Sequence, residues 1–228
     1  MTEKILAIIP ARGGSKGIKN KNIKLLNGKP LIYWTISTAL KSKLISKTIV
    51  STDSAQIAKV AEELNCEVPF LRPSELSSDE ATSSSVISYI LDKMRGYDYV
   101  VMLQPTSPLR TVEDIENSIN LMKNMNSTAC VSLVETSSNP YWMYTLDKNK
   151  NIINVMSITK PISRRQDLPL IYQLNGAIYI SKVKEFVVNK TFFSNETIGY
   201  VMPKDRSIDI DNIHDFLEAE QYMKNNSW

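Results

Sequence analysis

The sequence has little of what marks a disulfide-stabilised or histidine-dependent protein. It contains two cysteines in 228 residues, Cys66 and Cys130, far apart in the chain. Such cysteines are typical of small buried apolar side chains and not of a disulfide framework, so we expect a reducing, cytoplasmic compartment. With one histidine, His214, the sequence offers no nucleophile triad. That absence argues against covalent catalysis and favours direct displacement.

Long apolar runs and a strong net charge are also missing. The apolar run at 5–11 is far shorter than the roughly 18 residues of a membrane helix, and it leads into Arg12 and Lys16, not into the small residues of a signal-peptide cleavage site. The net charge is +3, with scattered lysines, which does not indicate a nucleic-acid partner. Hydrophobic residues make up 43% of the chain. We therefore expect one domain over residues 1–228, no membrane, and a small anionic substrate.

Apolar runs and helical periodicity alternate along the chain. The pattern predicts strands near 5–9, 48–50, 67–71, 99–103, 129–133, 177–180 and 200–202, and helices over 31–44, 55–64, 83–94, 111–125 and from Asn212 onward. Residues 135–170 break the alternation and are predicted to form an inserted antiparallel arm. The sequence thus predicts an α/β fold with a mainly parallel central sheet flanked by helices.

A glycine-rich, basic loop follows the first predicted strand. Its sequence at 10–17 is PARGGSKG, and ligands of open α/β folds bind at the carboxyl ends of strands. Three glycines allow close approach of the backbone to a phosphate, and Arg12, Lys16 and Lys21 supply positive charge. The spacing is neither that of a P-loop nor that of a dinucleotide fingerprint. A solvated basic turn is the alternative.

Two late acids predict a metal site. Asp209 and Asp211 alternate with Ile208 and Ile210, so on a strand both carboxylates would project from one face while both isoleucines enter the core. Adjacent carboxylates repel unless a cation lies between them, and oxygen ligands select Mg²⁺, with Mn²⁺ possible. The alternative is a solvated acidic strand end.

Five ordered motifs resemble those of one enzyme family. The loop ARGGSKG with Lys21 and Asn22 is similar to the signature loop of the CMP-sialic acid synthetases, or N-acylneuraminate cytidylyltransferases, which include the CMP-legionaminic acid synthetases. The later matching blocks are RPSEL at 72–76 with Ser78 and Asp79, LQPTSPLR at 103–110, NGAIY at 175–179 and SIDID at 207–211. Together they span nearly the whole chain.

The resemblance implies a Rossmann-like nucleotide-diphospho-sugar transferase fold and a reaction. The anomeric hydroxyl of a nine-carbon acidic sugar would attack the α-phosphate of CTP, giving the CMP-sugar and pyrophosphate. Arg12, Lys21 and Asp211 are the expected catalytic residues, with Asp209 and Asp211 as metal ligands. The expected nucleotide-binding residues are Ala11, Arg12, Gly13, Ser15, Lys21, Asn22, Arg72 and Ala81. An ion pair of Arg72 with Glu75 or Asp79 is the alternative for that residue.

The resemblance also implies a sugar site and a homodimer. The expected sugar-binding residues are Ser83, Gln104, Arg165, Asn175, Tyr179, Phe192 and Phe193. Gln104 follows a buried strand, where a polar side chain is expected to meet a ligand, whereas the choice between Arg164 and Arg165 stays open. The arm would pack on a second subunit, and Phe192 and Phe193 would reach the active site of that subunit. Ordinary core packing is the alternative for the two phenylalanines.

The identity of the sugar is the main open alternative. Residues 139–144 read NPYWMY, and this apolar segment would suit legionaminic acid, whose C9 is a methyl group, as well as N-acetylneuraminic acid. The eight-carbon sugar Kdo is a further candidate. A non-catalytic nucleotide-sugar sensor and a glycosyltransferase are rivals from other classes, but the position of the acids late in the chain disfavours a glycosyltransferase.

Overall fold

Buried, β-branched segments form a six-stranded sheet at the centre of the molecule. The computed structural model describes residues 3–15, 17–78, 80–136, 138–156, 164–226 and 228. The strands are β1 (Ile5–Pro10), β2 (Leu25–Leu26), β3 (Lys29–Pro30), β4 (Lys47–Ser51), β5 (Tyr99–Leu103), β6 (Ala129–Glu135), β7 (Tyr144–Leu146), β8 (Ile152–Asn154), β9 (Tyr172–Lys182) and β10 (Thr197–Val201). The helices are α1 (Leu31–Lys41), α2 (Ala55–Glu63), α3 (Ser83–Lys93), α4 (Val112–Asn124), α5 (Val183–Asn189) and α6 (Ile213–Asn225).

The central sheet is mainly parallel, as the sequence predicts. Its strand order is β10-β6-β9-β5-β1-β4. β1 pairs in parallel with β4 and β5, and β10 pairs in parallel with β6. β9 runs antiparallel to both of its neighbours, β5 and β6. The parallel group β4-β1-β5 therefore has all its carboxyl ends at one edge of the sheet.

The two faces of the sheet are covered by different helices. In β1 the side chains of Ile5, Ala7 and Ile9 join a core cluster that contains residues of α1, α2 and α4. The intervening Leu6 and Ile8 join a second cluster with residues of α3 and α5. This alternation follows the period of two in a strand and explains why β1 is apolar throughout.

Side-chain caps fix where several helices begin. Ser54 and Thr82 accept backbone hydrogen bonds at the starts of α2 and α3. Thr111 with Asp114, and Asn212 with Asp215, form reciprocal capping boxes at α4 and α6. Each capping box satisfies backbone N–H groups that the first helical turn leaves without partners.

The structure differs from the elements predicted by periodicity at several points. The strand predicted at 67–71 is reduced to one bridge between Ile49 and Glu67. The helix α5 was not predicted. The predicted arm contains the antiparallel pair β7–β8, while residues 137 and 157–163 lie outside the described part of the chain.

Among the described residues, the longest stretches of helix are too short or too polar to cross a bilayer.

Candidate active site

The candidate site lies at the carboxyl edge of the parallel strands. Pro10 at the end of β1 is in register with Ser51 at the end of β4, and Ile8 is in register with Met102 of β5. Three loops therefore meet there: the glycine-rich loop, the loop that begins at Thr52, and the loop that begins at Gln104. A ligand site at this edge is what the topology of an open α/β sheet favours.

A cavity of about 410 Å³ opens between these loops. The predicted nucleotide-binding residues that line it are Arg12, Ser15, Lys21, Asn22, Arg72 and Ala81. The predicted sugar residues Ser83 and Gln104 and the predicted metal ligand Asp211 line it as well. The structure thus brings together residues from four of the five sequence motifs, and the cavity volume is in the usual range for a small-molecule site.

The glycine-rich loop is held against the late acidic segment. Lys21 Nζ donates to the Ile210 carbonyl oxygen at 2.7 Å and lies 3.6 Å from Asp211 Oδ1. A Cβ at Gly17 would overlap the Asp211 carbonyl oxygen, so only glycine fits this approach. The predicted juxtaposition of basic loop and acid is therefore present in the structure.

The remaining contacts of the loop fix its path around the cavity. Asn22 Nδ2 donates to the Arg12 carbonyl oxygen at 3.0 Å, and Arg12 Nη1 donates to the Ser78 carbonyl oxygen at 3.3 Å. Arg12 thus bridges the first loop and the segment that follows Arg72. Both arginine and asparagine are held where a phosphate could be bound.

Arg72 is a buried cation with hydrogen-bonding capacity left over. Its side chain is 4% exposed, and its Nη2 lies 3.7 Å from Asp53 Oδ1. Within the described chain, Nε and Nη2 have no hydrogen-bond partner. Burial lowers the pKa of Arg72, Asp53 opposes that shift, and the nearby Arg12 adds to it. Unpaired buried donors beside a cavity are candidates for contact with a bound ligand.

Two predicted nucleotide-binding residues do not line the cavity. Ala11 is buried, and its N–H donates to the Ser51 carbonyl oxygen at 2.9 Å. Gly13 N–H donates to Asp53 Oδ1 at 2.9 Å. Both backbone donors are therefore already engaged within the protein.

The acidic segment, residues 207–211, is not part of a sheet, contrary to the expectation of a strand. The Ile210 N–H donates to the Thr106 carbonyl oxygen at 2.8 Å, and Ile210 is buried, with Ile208 partly buried beside the same cluster. The burial of the isoleucines is as predicted. One hydrogen bond to the Gln104 loop and the core contacts of Ile210 replace the ladder of a strand.

The two carboxylates lie in different surroundings. Asp211 lines the main cavity with its side chain 81% exposed, whereas Asp209 lines a second cavity of about 260 Å³. Burial raises the pKa of Asp209, the nearby Thr106 side chain opposes that shift, and Asp211 adds to it. Asp209 Oδ1 is buried with no hydrogen-bond partner among the described residues. The prediction that both acids project from one face is therefore not what the structure shows.

A divalent ion fits this donor set only with help from a ligand. Among the described residues, no group of three or more His, Cys, Asp or Glu side chains is placed to hold a metal. Mg²⁺ is commonly bound by one or two carboxylates together with substrate phosphates. The orphaned Oδ1 of Asp209 and the exposed carboxylate of Asp211 match that mode and not a preformed metal cage.

Asn175, predicted to bind sugar, has a structural role here. Its amide is buried: Nδ2 donates to Ser207 Oγ at 3.0 Å, and Oδ1 accepts from Ser132 Oγ at 2.6 Å and from Ala177 N–H at 3.2 Å. Its polar atoms are thus used to join β6, β9 and the start of the acidic segment. These contacts indicate a structural role, and sugar binding by Asn175 stays a prediction.

The predicted aromatic pair divides between core and surface. Phe192 is buried against Phe186 and Tyr179, with ring centroids 4.7 and 5.7 Å away, whereas Phe193 is 50% exposed. Burial of Phe192 matches the alternative of core packing, and contact of the pair with a partner's site stays a prediction. Tyr179 is partly buried between them, and burial raises its pKa, with Asp209 adding to the shift.

The two candidate arginines of the arm lie outside the cavity wall. Arg164 Nε donates to Asp167 Oδ2 at 2.8 Å in an exposed ion pair. Arg165 is exposed at the start of a short 3-10 turn, Arg165–Asp167. Neither arginine lines the main cavity, and the assignment of the sugar carboxylate to one of them stays a prediction.

Some residues of the site were not predicted. Thr106 lines the cavity and holds the acidic segment, and Asp53 contacts both Gly13 and Arg72. The rule applied to the glycine-rich loop would have found Asp53, since it also follows a buried strand at the carboxyl edge of the sheet. Thr106 lies within the matching block LQPTSPLR at 103–110 but was not singled out from it.

The fold is α/β, with a cavity at the carboxyl edge of its parallel strands. The cytidylyltransferase family model matches residues 6–226, and the chain belongs to the cytidylyltransferase family.

Relatives in this family are 36–38% identical to this chain over the matched regions. It is 38% identical to the CMP-N,N'-diacetyllegionaminic acid synthase of Legionella pneumophila, over 98% of this chain and 97% of that protein. It is 36% identical to the N-acylneuraminate cytidylyltransferase of Escherichia coli O18:K1:H7, over 95% of this chain and 51% of that protein. The chain thus spans about half the length of the N-acylneuraminate cytidylyltransferases that it matches.

Solved structures support the fold assignment. A CMP:2-keto-3-deoxy-manno-octonic acid synthetase complexed with CTP gives a TM-score of 0.75 at 14% identity, covering 98% of this chain and 100% of that one. The 4-diphosphocytidyl-2C-methyl-D-erythritol synthase of Anaerococcus prevotii gives a TM-score of 0.70 at 14% identity, covering 98% and 97% of the two chains.

Proposed function

We propose that this protein transfers CMP from CTP to a nine-carbon acidic sugar of the N-acylneuraminate kind and releases pyrophosphate. One observation carries the proposal: a single cavity is lined by buried Arg72, which has donors without partners among the described residues, and by the cations Arg12 and Lys21. Membership of the cytidylyltransferase family supports the choice of reaction.

The nucleobase would lie against Arg72. Cytosine presents two adjacent acceptors, O2 and N3, whereas uracil presents an N–H at the second position. Nε and Nη2 of one guanidinium can donate to two neighbouring acceptors in one plane. Because both atoms lack partners among the described residues, we assign the recognition of cytosine to them.

The triphosphate would extend toward Arg12 and Lys21. In the reaction the C2 hydroxyl oxygen of the sugar forms a bond to the α-phosphorus, the bond from that phosphorus to the bridging oxygen breaks, and pyrophosphate leaves with the electron pair. The hydroxyl proton passes to solvent or to a phosphate oxygen. Fixed positive charge around the phosphates is the main source of rate acceleration for such a displacement.

Mg²⁺, with Mn²⁺ as a substitute, would be held by Asp211 and Asp209 together with phosphate oxygens. The ion would supply charge neutralisation for the departing pyrophosphate. The residues fit this role because one carboxylate is exposed to the cavity and the other has an unpaired buried oxygen.

A second candidate sugar is N,N'-diacetyllegionaminic acid. The relative from Legionella pneumophila, which this chain matches over nearly the full length of both proteins, favours it. The segment 139–144, on which the sequence-based argument for this sugar rested, does not line the cavity. The comparison is therefore the sole support for this alternative.

Pyrophosphate release tests the proposed reaction. We expect release from CTP, and not from ATP, GTP or UTP, when an acidic nine-carbon sugar and Mg²⁺ are present, and none when EDTA replaces Mg²⁺. Comparing N-acetylneuraminate, N,N'-diacetyllegionaminate and Kdo at matched concentrations ranks the substrates. Tight CTP binding without release for any of the three would instead support a nucleotide-sugar sensor.

The assembly we propose is a cytoplasmic homodimer formed through the arm. The hairpin β7–β8 and its neighbours display large apolar side chains to solvent, and exposed patches of this kind mark protein–protein interfaces. They include Tyr144, Leu146, Ile152, Ile153 and Leu170. The buried, free cysteines Cys66 and Cys130 suit a reducing compartment.

Sedimentation equilibrium tests the dimer. We expect Leu146→Glu to shift the protein from dimer to monomer, and the control Val188→Glu, at an exposed site on α5, to remain dimeric. A wild-type monomer, or a dimer unaffected by Leu146→Glu, would remove the arm from the interface.

A further inference from the structure

Asp53 lies between the glycine-rich loop and Arg72, both of which contribute to the wall of the main cavity. It follows β4 directly, and its neighbours Thr52 and Ser54 are fixed, since Ser54 N–H donates to Thr52 Oγ1 at 3.1 Å and Ser54 caps α2. The Asp53 side chain is therefore set at the carboxyl edge of the sheet by a buried strand on one side and a helix on the other. It does not line the cavity itself.

One oxygen of Asp53 lies near both the glycine-rich loop and Arg72. Oδ1 accepts a hydrogen bond from Gly13 N–H at 2.9 Å and lies 3.7 Å from Arg72 Nη2. The second distance exceeds that of a hydrogen bond, so the carboxylate attracts the guanidinium without consuming its donors. Arg72 is held in place further by its backbone, which donates to the Thr52 carbonyl oxygen at 2.7 Å.

Removing the charge of Asp53 would leave Arg72 poorly placed. The guanidinium is buried, and Arg12 lies close enough to disfavour its charge. A buried cation without an opposing charge moves toward solvent or toward another acceptor when it can. Such a movement would displace Arg72, whose side chain lines the cavity, together with its unpaired Nε and Nη2.

We propose that Asp53 is a positioning residue that couples the glycine-rich loop to Arg72 and thereby sets the preference of the cavity for cytosine over uracil. This inference rests on the proposed binding of CTP. Asp53 touches neither base nor phosphate: it fixes the direction of Arg72 Nε and Nη2 on one side and of the Gly13 backbone on the other.

The test is equilibrium binding of CTP and UTP to the full chain. Asp53→Asn keeps an acceptor for Gly13 N–H and removes the charge opposite Arg72. We expect it to weaken CTP binding about tenfold, or about 1.4 kcal/mol, and UTP binding much less, so that the CTP/UTP ratio falls by nearly the same factor. In turnover the KM for CTP should rise while kcat stays near that of the wild type.

Three further variants separate positioning from a general structural role. Asp92→Asn, an exposed carboxylate on α3, is the matched control and should leave the ratio unchanged. Asp53→Glu keeps the charge and should hold the ratio within about threefold of the wild type. In an Arg72→Gln background, Asp53→Asn should change the ratio no further, since the residue through which it acts is gone.

The outcomes decide the proposal. An equal loss of CTP and UTP binding in Asp53→Asn, or an undiminished effect in the Arg72→Gln background, would overturn it. Should Asp53→Asn fail to fold, a ratio in Asp53→Glu as low as that of Arg72→Gln would do the same. Wild-type protein that prefers CTP in binding but releases no pyrophosphate would refute the proposed transfer and leave the role of Asp53 intact.

Discussion

Two buried arginines, one in the cavity wall and one in the interior beside it, differ in how fully their donors are hydrogen-bonded. Arg72 lies in the cavity wall with Nε and Nη2 unpaired among the described residues. Arg110 is fully buried; its Nε also lacks a partner among the described residues, but its two terminal nitrogens donate to the Ala177 carbonyl oxygen at 2.7 Å and to Thr35 Oγ1 at 2.8 Å. Burial lowers the pKa of both, and that of Arg110 to about 9.

The two arginines have different roles: Arg72 is placed to bind a ligand, and Arg110 stabilises the fold. Arg110 joins α1, β9 and the Gln104 loop, so its hydrogen bonds stabilise the fold around the cavity. Arg72 has donors to spare, which is costly in the apo protein and useful only when a ligand accepts them. Substitutions in the interior should therefore lower stability, and substitutions in the cavity wall should lower activity.

The largest effect is expected for Asp211→Asn in the cavity. Its carboxylate is exposed, so the fold should be unaffected, but the rate of pyrophosphate release should fall by about 100-fold to 1,000-fold, as for loss of one transition-state contact worth about 3 to 4 kcal/mol. Pyrophosphate release measured with saturating Mg²⁺ checks this, with thermal unfolding as the control. Near wild-type turnover would remove Asp211 from the reaction.

Arg110→Met should give the largest loss of stability. It leaves the Ala177 carbonyl oxygen and Thr35 Oγ1 without their donor in the interior, and we expect the free energy of unfolding to fall by about 3 kcal/mol. Urea denaturation measures the change. A variant as stable as the wild type would show that the contacts of Arg110 do not hold the fold, and the comparison with Arg72 would fail.

Arg72→Met should show the opposite pattern. Because it removes a buried cation with unpaired donors, unfolding should require as much free energy as in the wild type, or about 1 kcal/mol more. CTP affinity should fall by about 2 kcal/mol, since cytosine loses a charged donor pair. Urea denaturation and equilibrium binding of CTP are measured on the same preparation. A marked loss of stability would place Arg72 with the structural arginines.

The smallest effect concerns Asp114, in the interior. Burial raises its pKa, but hydrogen bonds from Arg206 and Thr111 outweigh this and keep the pKa below the ordinary value of 3.8. A lowered pKa means that the carboxylate stabilises the fold above pH 3.8 and that this stabilisation is lost as the pH falls through the folded-state pKa.

Asp114→Asn should thus cost about 1 to 2 kcal/mol near neutral pH, where Arg206 Nη2 donates to Asp114 Oδ1 at 2.8 Å. The difference from the wild type should shrink in acid. Chemical denaturation at pH 7 and at pH values below 3.8 measures both. A difference that is constant across this range would mean that the charge of Asp114 contributes nothing.

The sequence predicted most of the scaffold because the scaffold depends on local patterns. The β-branched run of β1 and the capping pair Thr111 and Asp114 each specify their structure within a few residues. The strand predicted at 67–71 fails because no second strand pairs with it beyond the bridge at Glu67. Whether a short apolar run becomes a strand depends on a neighbour that local periodicity does not reveal.

Some residues of the candidate site were predicted and others were not, because their roles depend on contacts between distant parts of the chain. Resemblance and chain position identified Arg12, Lys21 and Arg72, which do line the cavity. They could not show that the Asn175 amide is hydrogen-bonded to Ser132 and Ser207, since those partners are far away in the sequence. Which polar residues keep hydrogen-bonding capacity for a ligand is a property of the packed structure.

A crystal structure of the protein with CTP and Mg²⁺ tests the central claim most directly. Our account predicts the cytosine ring within hydrogen-bond distance of Arg72 Nε and Nη2, with the triphosphate beside Arg12 and Lys21. A nucleotide bound elsewhere, or bound in this cavity with the Arg72 donors still unpaired, would contradict it.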